Sequence, residues 1–307
     1  MRPRTLVFFF YALGAFLLGA CTKNSSPKTI YDTVTVTKTD TVQLPPPDDT
    51  PNLTGGLILY LPFTNGSFAD SSGLGSAVTA FGGAALGYDM HGYAQSAFNS
   101  AGNGAALLVA NNGTDFFVDT AFSISFDFMI RSTPFYSGGG NYNGLQALLS
   151  IVNFSNGNSP TFDVGFVDPS APTSLAFDVN PSTNSCGTSG QNPNNIWDTT
   201  SFTPQLGAWY NVICIFTNGT GSVYINGTLV SSKTVSLSAS VLSCPDAQFV
   251  VGSWWGGTES TNGEIDEVRM YNRSLTLKQI AWLARNFQIN SNSQRPGFMT
   301  GKAATVN

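Results

Sequence analysis

Glu264-Ile265-Asp266-Glu267 is the densest acidic stretch of the chain and the first place to look for proton or metal chemistry. Side chains alternate sides along a regular strand, so Glu264 and Asp266 share one face and Glu267 takes the other. The same period of two puts Asp266 with Val268 and Met270, on the face expected to point inward. A buried carboxylate has to be paired, hydrogen-bonded or bound to a cation. The single histidine, His91, sits in a turn beside Gly92 with no nucleophilic Ser or Cys motif around it, and a structural role is expected for it. No Gly-Lys phosphate loop and no dinucleotide fingerprint following a strand occur.

Aromatic side chains in polar loops supply a second kind of chemistry, because rings stack on the apolar faces of sugars while amides bond their hydroxyls. Tyr136 and Tyr142 belong to the Gly-rich loop around Ser137–Gly144, Trp197 to an Asn-rich loop, and Trp254-Trp255 precede Gly256-Gly257. These five are the candidate ligand-binding residues. For the tryptophan pair a core role is the alternative, since alternation from Val251 and Ser253 turns one ring inward.

Four cysteines carry separate messages. Leu18-Gly19-Ala20-Cys21 closes an apolar run from Leu6 that follows Arg2 and Arg4. That order of positive, apolar and small residues is an export signal, and the run is too short to cross a bilayer as a mature helix. The tetrad resembles the lipobox of bacterial lipoproteins, which implies acylation of Cys21 and a membrane anchor made of lipid. Thr22 at the next position points to the outer membrane, because Asp there is associated with inner-membrane retention. Cys214 lies in Val212-Ile213-Cys214-Ile215-Phe216, where alternation buries it beside Val212 and Phe216 as an inert thiol. Cys186 and Cys244 lie in Ser-, Gly- and Pro-rich loops, and an oxidising compartment lets them form a disulfide. No second sulfur or histidine stands at zinc-ligand spacing.

These residues must be positioned by a chain with 18 acidic and 13 basic residues, 10% charged and 12% aromatic. Loss of Arg2 and Arg4 with the leader makes the net charge more negative than the −5 of the whole chain. Nucleic acid is not an expected partner, since phosphate contacts need clustered Lys and Arg. Residues 1–20 read as the leader and 21–53 as an extended tether, with a Thr/Val stretch followed by Pro45-Pro46-Pro47. A domain fills 54–290, and 291–307 is a polar tail expected to be disordered. Strands are expected within 56–63, where Pro62 ends the first, and at 105–110, 122–130, 145–154, 162–167, 175–179, 209–218, 221–225, 228–232, 249–253 and 263–271, with Asn226-Gly227 as a type I′ hairpin turn. Thr276 and Gln279 predict the capping box of one C-terminal helix whose apolar face is Leu277, Ile280, Ala281, Leu283 and Ala284. Many short strands without helical periods between them predict an all-β fold, a two-sheet antiparallel jelly-roll sandwich.

Four segments in this order resemble the laminin-G-like, concanavalin A-like lectin and glucanase superfamily. They are Leu57–Phe63 with Asp70-Ser71-Ser72-Gly73, Gly87–Gly92 leading to Phe98, Trp209–Gly227, and Gly263–Leu275, which is the most specific. The resemblance implies a calcium ion in many members and a closing strand near the Asp-Ser-Ser-Gly loop, so Asp70 and Asp266 are the expected calcium ligands. The alternative is that Asp266 caps backbone amides while Asp70 only makes a turn. Some glucanases of this superfamily carry Glu-x-Asp-x-Glu or Glu-x-Asp-x-x-Glu. Glu264-Ile265-Asp266 begins that pattern, but Val268 and Arg269 occupy the place of the second glutamate, so the acid for the leaving group is missing. The expectation is a non-enzymatic, lipid-anchored module that binds carbohydrate, with adhesion to a surface protein as the alternative and glycoside hydrolysis a minor one.

Overall fold

Runs of Val, Ile, Phe and Leu alternating with Ser, Asn and Asp build the strands of two sheets. The structure, a computed structural model, describes residues 50–102, 104–111, 121–133, 145–153, 160–179, 196–234, 247–254 and 259–292. Contacts divide the chain into Met1–Asp48 and Asp49–Asn307, and every described residue belongs to the second unit. Cys21, Tyr136, Tyr142, Cys186, Cys244, Trp255, the leader, most of the tether and the tail beyond 292 lie outside the described residues.

The strands are β1 (Leu57–Leu61), β2 (Val78–Phe81), β3 (Ala85–Tyr88), β4 (Ala94–Ala101), β5 (Ala106–Val109), β6 (Ala121–Ile130), β7 (Gln146–Asn153) and β8 (Pro160–Phe166). They continue as β9 (Ala176–Val179), β10 (Ile196–Thr199), β11 (Trp209–Thr217), β12 (Thr220–Ile225), β13 (Thr228–Thr234), β14 (Ala247–Val251) and β15 (Asn262–Tyr271), and the helix α1 spans Leu277–Asn292. The first sheet runs β13-β12-β11-β6-β15-β4-β3, with β1 also paired to β15, and the second runs β10-β9-β8-β7-β14-β5-β2. All named pairings are antiparallel. This is the expected all-β two-sheet sandwich with one helix.

Between the sheets lies a phenylalanine-rich core. Phe122 of the first sheet stacks on Phe216 at 5.6 Å and meets Phe162 and Phe177 of the second at 5.5 and 6.2 Å. Such ring pairs add to the burial of apolar area that drives the sheets together. Cys214 is buried in the same core as a free thiol, beside Val212 and Phe216.

The helix begins as its sequence predicts. The Thr276 Oγ1 accepts from the Gln279 amide at 3.3 Å, and the Gln279 Oε1 accepts from the Thr276 amide at 2.9 Å. Its apolar face differs from the expected one: Ile280, Leu283, Ala284 and Phe287 are buried, while Leu277 and Ala281 are exposed. Ile280 and Leu283 pack on Ile213, Ile215 and Tyr271, on the outer side of the first sheet. No helix among the described residues is long and apolar enough to cross a membrane.

Candidate functional site

Regular alternation along β15 breaks at one place, and the break creates the site. Asp266 pairs with Asp127 and Arg269 with Ser125, so Glu267 and Val268 together oppose the single residue Phe126. Glu267 holds φ of 54°, a left-handed conformation uncommon outside glycine, and its amide donates to Asp266 Oδ1 at 2.8 Å. This is a β-bulge, which re-aims side chains. Ile265 stays in the core on one side of the bulge, and Val268 and Met270 return to it on the other. The inward orientation expected for Asp266 from uninterrupted alternation is therefore corrected: it shares the outer face of the first sheet with Asp127. Glu267, expected to face away from Asp266, lines the same cavity.

That cavity holds about 650 Å³. Asp127, Asn211, Asp266, Glu267 and Arg269 line it from the sheet, and Trp282, Leu283, Asn286 and Phe287 of α1 close one side. The β3–β4 turn forms another wall, where Asp89 Oδ1 accepts the amides of His91 at 2.9 Å and Tyr93 at 2.7 Å and so presents both rings, 6.0 Å apart. Pro62, Thr64, Asn65 and Gly66 complete the rim.

Burial dominates the electrostatics. It pushes the Asp127 carboxyl up to about 7, partly offset by the hydrogen bond from Asn211 Nδ2 at 2.7 Å, while the Glu267 charge adds to the rise. Burial raises Asp266 well above the usual carboxylate range, helped by the charges of Glu267 and Asp127. Arg269 does not neutralise this pair directly. Its guanidinium bonds Glu267 and the Tyr60 hydroxyl and lies 4.2 Å over the Tyr60 ring.

Glu264 also lies on the outer face but is spoken for: Arg131 Nη2 reaches its Oε1 at 2.5 Å and the Tyr88 amide donates at 3.3 Å. Gly87 passes so close that a Cβ there would stand 2.6 Å from the same oxygen.

Asp70 is placed elsewhere. Its oxygens accept from the amides of Tyr60, Ser72 and Ser76 and from the Ser72 hydroxyl, at 2.8 to 3.1 Å. Burial alone would raise its carboxyl, but these bonds win and hold it below the usual range. Asp70 and Asp266 are thus not brought into one cavity lining. Trp254 is half-buried and packs against Ala106, Val152 and Val250 and against Ala147, Val167 and Ala176, on the outer side of the second sheet. Trp197 belongs to β10, but its side chain lies outside the description. Asp127, Asn211 and Trp282 were missed by sequence reasoning. The polar side of Ser123-Ser125-Asp127, alternating with Phe122, Ile124, Phe126 and Phe128, was the available signal.

The sequence model of the family Laminin_G_3, described as concanavalin A-like lectin/glucanases superfamily, matches residues 102–281. No curated protein matches the chain. Among solved structures, a botulinum neurotoxin type C structure concerned with cell entry through two ganglioside molecules is similar with a TM-score of 0.54 and 18% identity, over 77% of this chain and 53% of that one. The binding domain of botulinum neurotoxin DC in complex with SialylT has a TM-score of 0.54 and 17% identity, over 76% of this chain and 52% of the other. The binding domain of Paraclostridial Mosquitocidal Protein 1 reaches 0.56 at 16% identity, over 76% and 52%. The chain spans about half the length of these structures, and likeness at such identity is a likeness of fold. With the family match covering more than half its length, the chain belongs to the concanavalin A-like lectin/glucanases superfamily.

Proposed function

We propose that this chain is a lipid-anchored lipoprotein of the outer membrane, held at Cys21, whose domain binds carbohydrate in the cavity beside α1 without cleaving it. The carrying observation is the lining itself: buried oxygens at the floor, amides of Asn65, Gln95 and Asn286, and the rings of His91, Tyr93 and Trp282 at the walls. Carboxylates and amides accept and donate to hydroxyls, and rings cover the apolar face of a pyranose. The acidic floor disfavours sialylated or uronic sugars and favours neutral ones. Fold likeness to domains studied with gangliosides and SialylT is compatible with such a role.

Glycoside hydrolysis is the second reading, because Asp127 supplies across the sheet the second carboxylate that the β15 strand lacks. A retaining pair divides its work between an ionised nucleophile and a protonated acid, so the two environments must push their carboxyls apart. Here burial raises both, which favours binding over cleavage.

Screening the purified chain on an array of neutral and acidic glycans tests the proposal. Binding of a neutral glycan, weakened about tenfold or more by Tyr93→Ala at an exposed position, is the expected result. A blank array with membrane or matrix proteins captured by crosslinking would replace it with the adhesion reading. Sugar released by the wild-type chain and lost in Asp127→Asn would establish hydrolysis. Labelling with radioactive palmitate that is unaffected by Cys21→Ala would remove the anchor.

A further inference from the structure

Asn211 of β11, Asp127 of β6 and Asp266 of β15 stand side by side in register across the cavity floor, each almost fully buried at 4, 4 and 5% exposure. What the fold leaves open there is all of one kind. Asn211 Nδ2 is committed to Asp127 Oδ1, which turns the amide so that Asn211 Oδ1 is buried without a partner. Asp266 Oδ1 takes the Glu267 amide, and no described residue donates to the second oxygen of Asp127 or of Asp266. The three open atoms are acceptors, two of them carboxylate oxygens. The guanidiniums nearby are engaged elsewhere, Arg131 with Glu264 and Arg269 with Glu267. Three lining residues, Asn65, Gln95 and Glu267, hold φ of 57°, 56° and 54°, and such left-handed residues other than glycine gather where a site imposes them.

We infer that the cavity takes a sugar bearing a free primary ammonium group, a hexosamine without its N-acetyl cap, with the ammonium seated on Asp127, Asp266 and the amide oxygen of Asn211. The inference rests on the carbohydrate reading above and narrows it. A primary ammonium carries three N–H donors and one positive charge, which answers three open acceptors and the uncompensated charge of the floor. A hydroxyl or an N-acetylated amine brings one donor and no charge, so either leaves acceptors of the floor unmet, and a quaternary ammonium brings charge without a donor. Among the described residues no group of three or more His, Cys, Asp and Glu is placed to hold a metal ion, so the positive charge arrives on the ligand. The rings of His91, Tyr93 and Trp282 on the walls cover the apolar side of a pyranose and attract a cation through their faces. The volume of about 650 Å³ suits a ligand of this size, small-molecule sites spanning roughly 300–1,000 Å³.

The test is calorimetric titration of three trisaccharides into the full chain: the glucosamine trimer, its fully N-acetylated counterpart and the neutral glucose trimer. The buffer holds chelator and physiological salt at pH 7, where an amine with an ordinary value of about 7.7–8.0 keeps its proton. The glucosamine trimer is expected to bind about tenfold or more tightly than the other two, and that preference is expected to disappear in Asp127→Asn, Asp266→Asn and Asn211→Leu. Near-UV circular dichroism identifies any variant that fails to fold, and with three independent variants the result does not depend on one of them. Equal or tighter binding of the N-acetylated or neutral trimer would overturn the inference and leave the carbohydrate reading standing. Failure of all three to bind would also overturn it, and the wider glycan array then decides separately whether another sugar occupies the cavity. A preference that survives Asp127→Asn and Asp266→Asn would be attraction to the negative chain as a whole and would overturn it too. So would tighter binding of a lysine-bearing peptide of the same charge, which would assign the floor to a protein partner.

Discussion

On the outer face of the second sheet, Asp163 stands opposite Asp178 and also feels the charge of Glu259. Burial pushes the Glu259 carboxyl up to about 8, and burial followed by the Glu259 charge drives Asp163 well above the usual range. Asp163 Oδ1 is buried without a hydrogen bond. The sign of the effect on stability follows from proton counting. Between the ordinary carboxylate value near 4.3 and about 8, the folded chain keeps a proton on Glu259 that the unfolded chain has released, so unfolding releases a proton and rising pH favours it. Urea midpoints measured from pH 5 to pH 8.5 are therefore expected to fall, and Glu259→Gln is expected to flatten that fall. A variant with an unchanged pH slope would show that Glu259 ionises normally in the native state. Asp70 works in the opposite sense: its lowered carboxyl supports the fold above the ordinary aspartate value, and that support fades as pH drops through it.

The hairpin between β12 and β13 shows how an element's geometry reaches its neighbours. Asn226 and Gly227 hold φ of 50° and 80°, the conformation a type I′ turn requires, and this was readable from the Asn-Gly pair alone. What the sequence does not reveal is that a Cβ on Gly227 would stand 2.8 Å from the Ala284 Cβ of α1. Gly227→Ala is therefore expected to cost about 1–3 kcal/mol, from the strained φ together with the steric push on the helix, read as a shift in urea midpoint. A change below about 0.5 kcal/mol would mean the helix yields freely. Elements rich in branched and aromatic residues, such as β6, β11 and β15, declared themselves by alternation. β4, with Ala94-Gln95-Ser96-Ala97 and Asn99-Ser100-Ala101 around one phenylalanine, did not, because small polar residues carry little strand preference and pairing alone holds them extended. The bulge at Asp266–Glu267 was equally silent, since a glutamate at positive φ is imposed by the surrounding sheet. Asp266 was singled out from sequence, but its companions Asp127 and Asn211 were not, because register between strands far apart in the chain decides who its neighbours are.

At the scale of the molecule, two sheets present three faces: a shared apolar interior and two outer faces that carry buried polar groups. The outer face of the first sheet is partly roofed by α1, whose apolar side packs there, and holds the cavity, so that face combines ligand chemistry with a second apolar cluster while the interior holds the larger core. Phe122 is the contact on which the two sheets most visibly depend, since its ring touches Phe216 in its own sheet and Phe162 and Phe177 across the sandwich. Truncation to alanine leaves a cavity that rigid strands on both sides cannot collapse, and about 3–5 kcal/mol of stability is the expected loss. Cys214 offers a local reporter, being fully buried with its thiol pushed up by burial, so that it reacts only when the core opens. Under conditions where opening equilibrates faster than labelling, alkylation at Cys214, followed by peptide mass, should accelerate in Phe122→Ala by about a hundredfold to several thousandfold, the same free energy expressed as a population. A labelling rate that stays at the wild-type value while the urea midpoint falls would show that Cys214 is exposed by a local opening of β11, and that the sandwich does not unfold as one cooperative unit.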